Sequence, residues 1–186
     1  MTDDRIDTVL SDELTQRDLE QLRALRDAVY PPQTRDEMRR PLSDPAPEID
    51  WPPARRERYF LLRRHGELVA TSRLIPRRIR TADGAMDVLG LAGVKTHPDF
   101  RKQGLGAAVV RAAFAGVDDG SFPVSLFQTG VPGFYRKLGA REVDNRFVNR
   151  FGQDPAERPW WDKVVMIYPA DADWPDGEID LLGPAW

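Results

Sequence analysis

Val94-Lys95-Thr96-His97-Pro98-Asp99-Phe100-Arg101-Lys102-Gln103-Gly104-Leu105-Gly106, running on into the small and apolar residues 107–115, is the stretch that decides the fold. Its start closes a strand-like run, its middle is polar with two glycines, and its end has helical composition, so it reads as a strand-loop-helix unit. Glycines let the backbone close on a ligand, and the first amides of a helix point outward without intrahelical partners. The helix dipole adds roughly half a positive charge at that end. Such a turn suits a phosphate, and Arg101 and Lys102 bring full charges to its rim. Two nucleotide readings fail. A P-loop needs Gly-Lys followed by Ser or Thr, which is absent. A dinucleotide fingerprint needs Gly or Ala where Val109 stands, and an opening parallel βαβ unit.

Working outward, the chain before this unit predicts three antiparallel strands: residues 59–64 and 67–75 meet at His65-Gly66, and Ala82-Asp83-Gly84 turns into 86–96. Earlier, Leu14, Leu19, Leu22, Leu25, Ala28 and Val29 recur at helical spacing over 11–30, with Asp12 or Thr15 as cap and Pro31-Pro32 as stop. Residues 31–53 hold seven of the sixteen prolines, which predicts an ordered loop with one short helix about 34–40. Downstream, Asp118-Asp119-Gly120 ends the helix, 124–127 is a buried-type strand, and 132–138 is a brief helix stopped by Gly139. Residues 146–151 and 164–168 read as closing strands, and 178–181 as one more strand in an acidic tail. The expectation is an α+β fold in a single domain, 1–186, with a core over 12–168 and the tail 169–186 docked near the acceptor site.

Composition narrows the chemistry. Lys plus Arg number 27 and Asp plus Glu 30, a formal charge of −3, which argues against a broad nucleic-acid or membrane-binding face. With no cysteine, zinc-thiolate sites and thiol nucleophiles are excluded; with only His65 and His97, redox and zinc enzymes fall far down the list, and no metal site is expected. The N-terminus is acidic where a signal peptide is basic then apolar, and no apolar run is long enough to span a membrane, so the chain reads as cytoplasmic.

The unit 94–106 resembles the hallmark of the GCN5-related N-acetyltransferase (GNAT) superfamily, a strand followed by Arg/Gln-x-x-Gly-x-Gly/Ala opening a helix. Phe134-Tyr135-Arg136-Lys137-Leu138-Gly139 is similar to its second hallmark, an aromatic pair before a basic stretch and glycine. The two lie a helix and a strand apart, in the family's order. The resemblance covers residues 12–168 and implies a mostly antiparallel sheet with helices on both faces and an acetyl-CoA or other acyl-CoA cofactor. On it, Gln103, Gly104, Leu105 and Gly106 hold the diphosphate with Arg101 and Lys102, and the backbone of Val94 and Thr96 pairs with the pantetheine arm. An N–H near Val94 polarises the thioester, and Tyr135 protonates the departing thiolate. No covalent intermediate is required. Many family members carry a basic carboxylate two residues before the first pantetheine-binding position; that site is Ala92 here, leaving Asp87, Glu48, Asp50 or a relayed water.

The implied activity is transfer of an acetyl group to the primary amine of a small cationic molecule. Asp44, Glu48, Asp50, Asp162, Asp176, Glu178 and Asp180 supply an attracting acidic set, with Asp50 and Trp186 as substrate-binding candidates. The ending Leu181-Leu182-Gly183-Pro184-Ala185-Trp186 is similar to that of aminoglycoside 2′-N-acetyltransferases, which carry aspartate at the Pro184 position and a carboxylate at the Ala92 position. A Trp186 folded back towards the site is the mark expected of kinship. The competing class is a non-catalytic acyl-CoA-binding sensor, and many relatives are homodimers. The pairs Arg55-Arg56 and Arg77-Arg78 read as solvated strand-end charges, and Trp160-Trp161 as a lid or packing anchor.

Overall fold

The computed structural model describes residues 4–32, 34, 49–52, 55–152, 154 and 157–186. The short helix expected about 34–40 and the candidates Asp44 and Glu48 lie outside these, apart from residue 34 itself.

The strands are β1 (Arg5–Leu10), β2 (Arg58–Arg64), β3 (Glu67–Thr81), β4 (Gly84–Thr96), β5 (Ser125–Thr129), β6 (Arg141–Val143), β7 (Arg146–Val148), β8 (Val164–Tyr168) and β9 (Glu178–Asp180). They form one sheet in the order β1-β2-β3-β4-β5-β8-β6, with β9 joining β3 to β7. Pairings are antiparallel except β4 with β5 and β7 with β9. This is the expected mixed, mostly antiparallel sheet. The α-helices whose bounds fall among the described residues are α1 (Gln16–Val29), α2 (Leu105–Asp118) and the short α3 (Pro132–Arg136).

The predicted helix 11–30 begins later than its pattern suggested. Ser11–Glu13 is a 3-10 turn, and Thr15 caps α1, its hydroxyl accepting from the Asp18 amide while the Asp18 carboxylate accepts from the Thr15 amide. β3 runs six residues past its predicted end, straight through Pro76. The Val69 carbonyl accepts from the amide of His97, the residue after β4, so by alternation Val69, Arg73, Ile75 and Arg77 turn their polar groups to β4, and Pro76 turns away. On that side β2 has ended at the Arg58–Leu74 pair, so the missing amide breaks no ladder.

The same alternation sorts the side chains. Phe60, Leu62, Leu74, Leu89 and Leu91 face α2, where Val109, Val110, Ala113 and Phe114 close one core cluster. The other face holds Leu61 and Leu68 under Leu25 of α1. Farther along that face Ile79, Val88, Leu126, Trp160 and Ile179 pack with the tail residues Trp174 and Trp186. A gap between α1 and the tail is left on this second face, and the site opens there.

Candidate functional site

Turn and helix start come first. Gly104 caps α2 in the left-handed region, φ 81°, and Lys102 before it also has positive φ, 62°. Among the described residues the amides of 102–107 donate to no protein acceptor; the first bond of the helix start runs from Ala108 to the Gly104 carbonyl. These are orphaned donors at the positive end of a 14-residue helix, beside the exposed Arg101 and Lys102. A diphosphate fits that donor set. Gly106 is needed for a different reason: a Cβ there would lie 3.0 Å from the Thr96 hydroxyl oxygen, so the bare backbone lets α2 start against β4. From the far side, Arg64 donates to the Gln103 side-chain oxygen at 2.7 Å, pairs with Asp4 at 2.8 Å and lies over the Phe100 ring.

The strands then part. Among the described residues β4 and β5 pair at Leu89 with Ser125 and Gly90 with Leu126, after which β4 keeps β3 on one side and no strand on the other. Before the split, the Leu89 amide points towards β5, donating to Val124 at 2.9 Å. At Gly93, φ 59°, the β3–β4 register shifts between Thr71 and Arg73. Beyond this bulge His97 donates to β3, so Lys95 does too, and Val94 and Thr96 present their amides to the open slot. Without the extra residue the slot would face the amides of residues 93 and 95.

Tyr135, on α3, is 6% exposed, its ring against Phe127 (centroids 4.7 Å) and Phe134 (4.9 Å). Its hydroxyl has no hydrogen-bond partner among the described residues, yet it is not sealed from solvent. Burial pushes this phenol up, and the nearby Tyr30 and Asp162 add to the effect. Burial also raises the Asp162 carboxyl, against the pull of the Trp161 hydrogen bond and Arg158. Tyr30, at the end of α1, lies near Asp162 and Arg101. Thus α1, α3 and the segment before β8 converge on the open end of the slot.

On the α1 face, a cavity of about 590 Å³ is lined by Asp50, Trp51, Glu57, Ile75, Arg77 and Leu182 among others. Trp186 closes the floor beside it. Its indole lies over Gly90, donates to the Leu126 carbonyl at 2.9 Å, meets Trp160 edge-on and sits under Arg77 at 5.0 Å. Gln128 ties this tail to the site: its amide donates to the Trp186 carbonyl (3.1 Å), and its oxygen accepts from the amides of Trp161 and Asp162.

Several sequence expectations need correction. Arg77 is not a solvated strand-end charge: burial lowers its pKa, and it donates to the Pro184 carbonyl at 2.9 Å. Asp87 is held by both Arg55 and Arg78, which leaves it no room to act as a base. Of the tryptophan pair, Trp160, 2% exposed, is a packing anchor in the core, as one of the two expectations had it, whereas Trp161 is exposed. Sequence reasoning missed Glu57, which pairs with Arg73 at 2.6 Å directly across β3 from Ala92. It also missed Lys95, on the same face as Ala92. Neither had a local signal, because both are defined by what the fold sets beside them.

The family model described as "Acetyltransferase (GNAT) domain" matches residues 11–143. No curated protein matches the chain. Among solved structures, the chain is similar to the GNAT family N-acetyltransferase YhbS from Escherichia coli in complex with CoA, at 12% identity and a TM-score of 0.59, over 97% of this chain and 89% of that one. A GNAT family acetyltransferase from Brucella melitensis in complex with acetyl-CoA gives 12% identity and 0.55, over 95% of each. A GCN5-related N-acetyltransferase from Kribbella flavida gives 18% and 0.51 over 75% of this chain, which spans only 33% of that one.

Proposed function

Because the chain belongs to the GNAT acetyltransferase family, acyltransferases whose co-substrate is acetyl-CoA, we propose that it moves the acetyl group directly to the primary amine of a small molecule. The observation that carries this reading is the slot where β4 leaves β5, with orphaned amides at one end and the Tyr135 hydroxyl at the other. The amides of Gln103, Gly104, Leu105 and Gly106 hold the diphosphate, with Arg101 and Lys102 at the rim. Val94 and Thr96 pair with the pantetheine arm as a neighbouring strand would. Bound acetyl-CoA supplies an activated acyl carbon. The Val94 amide donates to the thioester oxygen, and a preorganised donor of this kind is worth about 2.7–4 kcal/mol. Tyr135 holds its proton firmly, because burial disfavours its phenolate, and delivers it to the leaving sulfur.

The acceptor enters from the α1 face through the cavity that Asp12, Asp50 and Glu57 line. Those three carboxylates support an amine acceptor, while Arg56, Arg77 and Arg78 balance their charge in the same lining. One observation favours the narrower aminoglycoside reading: Trp186 folds back against β4 and β5 beside the cavity. The free Tyr135 hydroxyl favours catalysis over a sensor role.

Thiol release from acetyl-CoA across aminoglycosides, polyamines, amino acids and peptide N-termini tests the activity. Tyr135→Phe should lower kcat about 10²-fold, with the CoA Kd within twofold of wild type by calorimetry. An unchanged kcat removes Tyr135 from the mechanism.

A further inference from the structure

Ala92 leaves that position without the carboxylate the resemblance implies, and two of the carboxylates nearest in the sheet to stand in for it are committed. Asp87 is shared by two arginines, and Glu57 is clamped by Arg73. Asp162 stands beside the Tyr135 hydroxyl, on the side of the leaving sulfur. Among the described residues, β4 carries one titratable group on the Ala92 face. Lys95 lies opposite Thr71, on the same face as Ala92 and Arg73. Its Nζ donates to the Gly93 carbonyl at 3.1 Å, and that carbonyl belongs to the same peptide unit as the Val94 amide. The bulge at Gly93 thus turns one end of a peptide group to the slot and the other to an amine.

The charges around Lys95 are known from each element packed on it. Arg73 approaches from β3 and Arg26 from α1; Glu57 is paired to Arg73, and Asp27 to Arg26. No carboxylate pairs with Lys95 itself among the described residues. Burial first, then Arg73 and Arg26, push its ammonium down to about 8. A lysine in this setting exchanges protons near neutral pH, as a general base must.

We propose that Lys95 Nζ is the general base of the transfer, in place of the missing carboxylate; this rests on the acetyl-CoA reading above. The neutral acceptor amine attacks the thioester carbon and the C–N bond forms. The proton shed by that nitrogen passes to Nζ, directly or through one water. The C–S bond breaks, and sulfur takes the Tyr135 proton. The Lys95 ammonium and the Tyr135 phenolate then cancel by proton transfer through solvent, and both groups are reset.

The test is the pH profile of kcat, measured with the best acceptor of the panel on wild type, Lys95→Met and Lys95→Arg, alongside CoA calorimetry and thermal melting. Wild-type kcat should fall about tenfold per pH unit below about 8 and level off above it. Both variants should lose that limb and at least about 10²-fold in kcat, keep the CoA Kd within twofold, and melt cooperatively. Added trimethylamine, a base that cannot itself be converted to an amide, should restore part of the activity of Lys95→Ala. The proposal is overturned by an unchanged profile in Lys95→Arg, or by loss of the limb in Asp162→Asn instead. A rise in KM for anionic acceptors alone also overturns it, because the cation cluster would then be a binding subsite. So does a 42 Da adduct on Lys95, which would mean that it is consumed as an acceptor. Wild type that fails to bind CoA overturns the cofactor reading itself; CoA binding without turnover overturns only catalysis.

Discussion

Gly90→Ala probes the junction where sheet, tail and cleft meet. A Cβ on Gly90 would lie 2.7 Å from Trp186 Nε1, 2.9 Å from its Cε2 and 2.8 Å from the Ile75 carbonyl oxygen. Real Cβ atoms do not approach so closely, so the indole must leave and β3 must give slightly. Eviction exposes on the order of 150 Å² of ring, about 4 kcal/mol at ~25 cal/mol/Å². The lost Nε1–Leu126 hydrogen bond and the edge-on contact with Trp160 add about 1 kcal/mol each. Freed motion in the tail offsets about half of this, at about 1–2 kcal/mol per residue. The net loss should be about 2–3 kcal/mol by urea denaturation. Trp186→Ala should cost a similar amount, and the double variant little more than either alone, because both remove one set of contacts. Full additivity of the two substitutions, or a Gly90→Ala loss below about 0.5 kcal/mol, would refute the reasoning.

Gly104→Ala isolates the turn. Nothing lies within 4 Å of the added methyl, so its cost is the left-handed backbone, about 1–2 kcal/mol. A fall in CoA affinity of about tenfold is expected by calorimetry, and unchanged affinity would separate the turn from the cofactor. Lys95 makes a stability prediction of its own. Its pKa is pushed from 10.5 to about 8 by burial and like charge. Between those values the unfolded chain binds the extra proton, so wild-type stability should rise with pH across that window, while below it the full penalty remains. At about 1.4 kcal/mol per pH unit, lessened by partial solvent access, the rise is on the order of 2 kcal/mol. It should be absent from Lys95→Met in melts at pH 7.5 and 10.

What the sequence disclosed was local. The loop at Gly104, the Thr15 cap, the Pro31 stop and the hairpin at His65-Gly66 all depend on residues a few positions apart, and the structure has each of them. β1 escaped notice because Arg5 and Asp7 interrupt its apolar pattern; it exists by pairing with β2 some fifty residues away. Pro76 hid the second half of β3, since its tolerance depends on where β2 ends. In the site, the Gly-bearing turn and Tyr135 were legible as motifs, whereas the surroundings of Lys95, Glu57 and Arg77 arise only when α1 and the tail dock on the sheet. Trp186 was visible as a residue, but its place over Gly90 was a matter of folding back.

The bulge at Gly93 makes β4 a strand written in two reading frames. Up to Ala92 the frame is tuned for packing, with Val88 and Leu89 filling opposite cores. After one inserted residue the frame slips by a half-period, and the same backbone offers hydrogen bonds outward instead. Only glycine sits easily at that hinge, with its φ of 59°. Any redesign of this protein that evens out the strand for stability would therefore silence its edge.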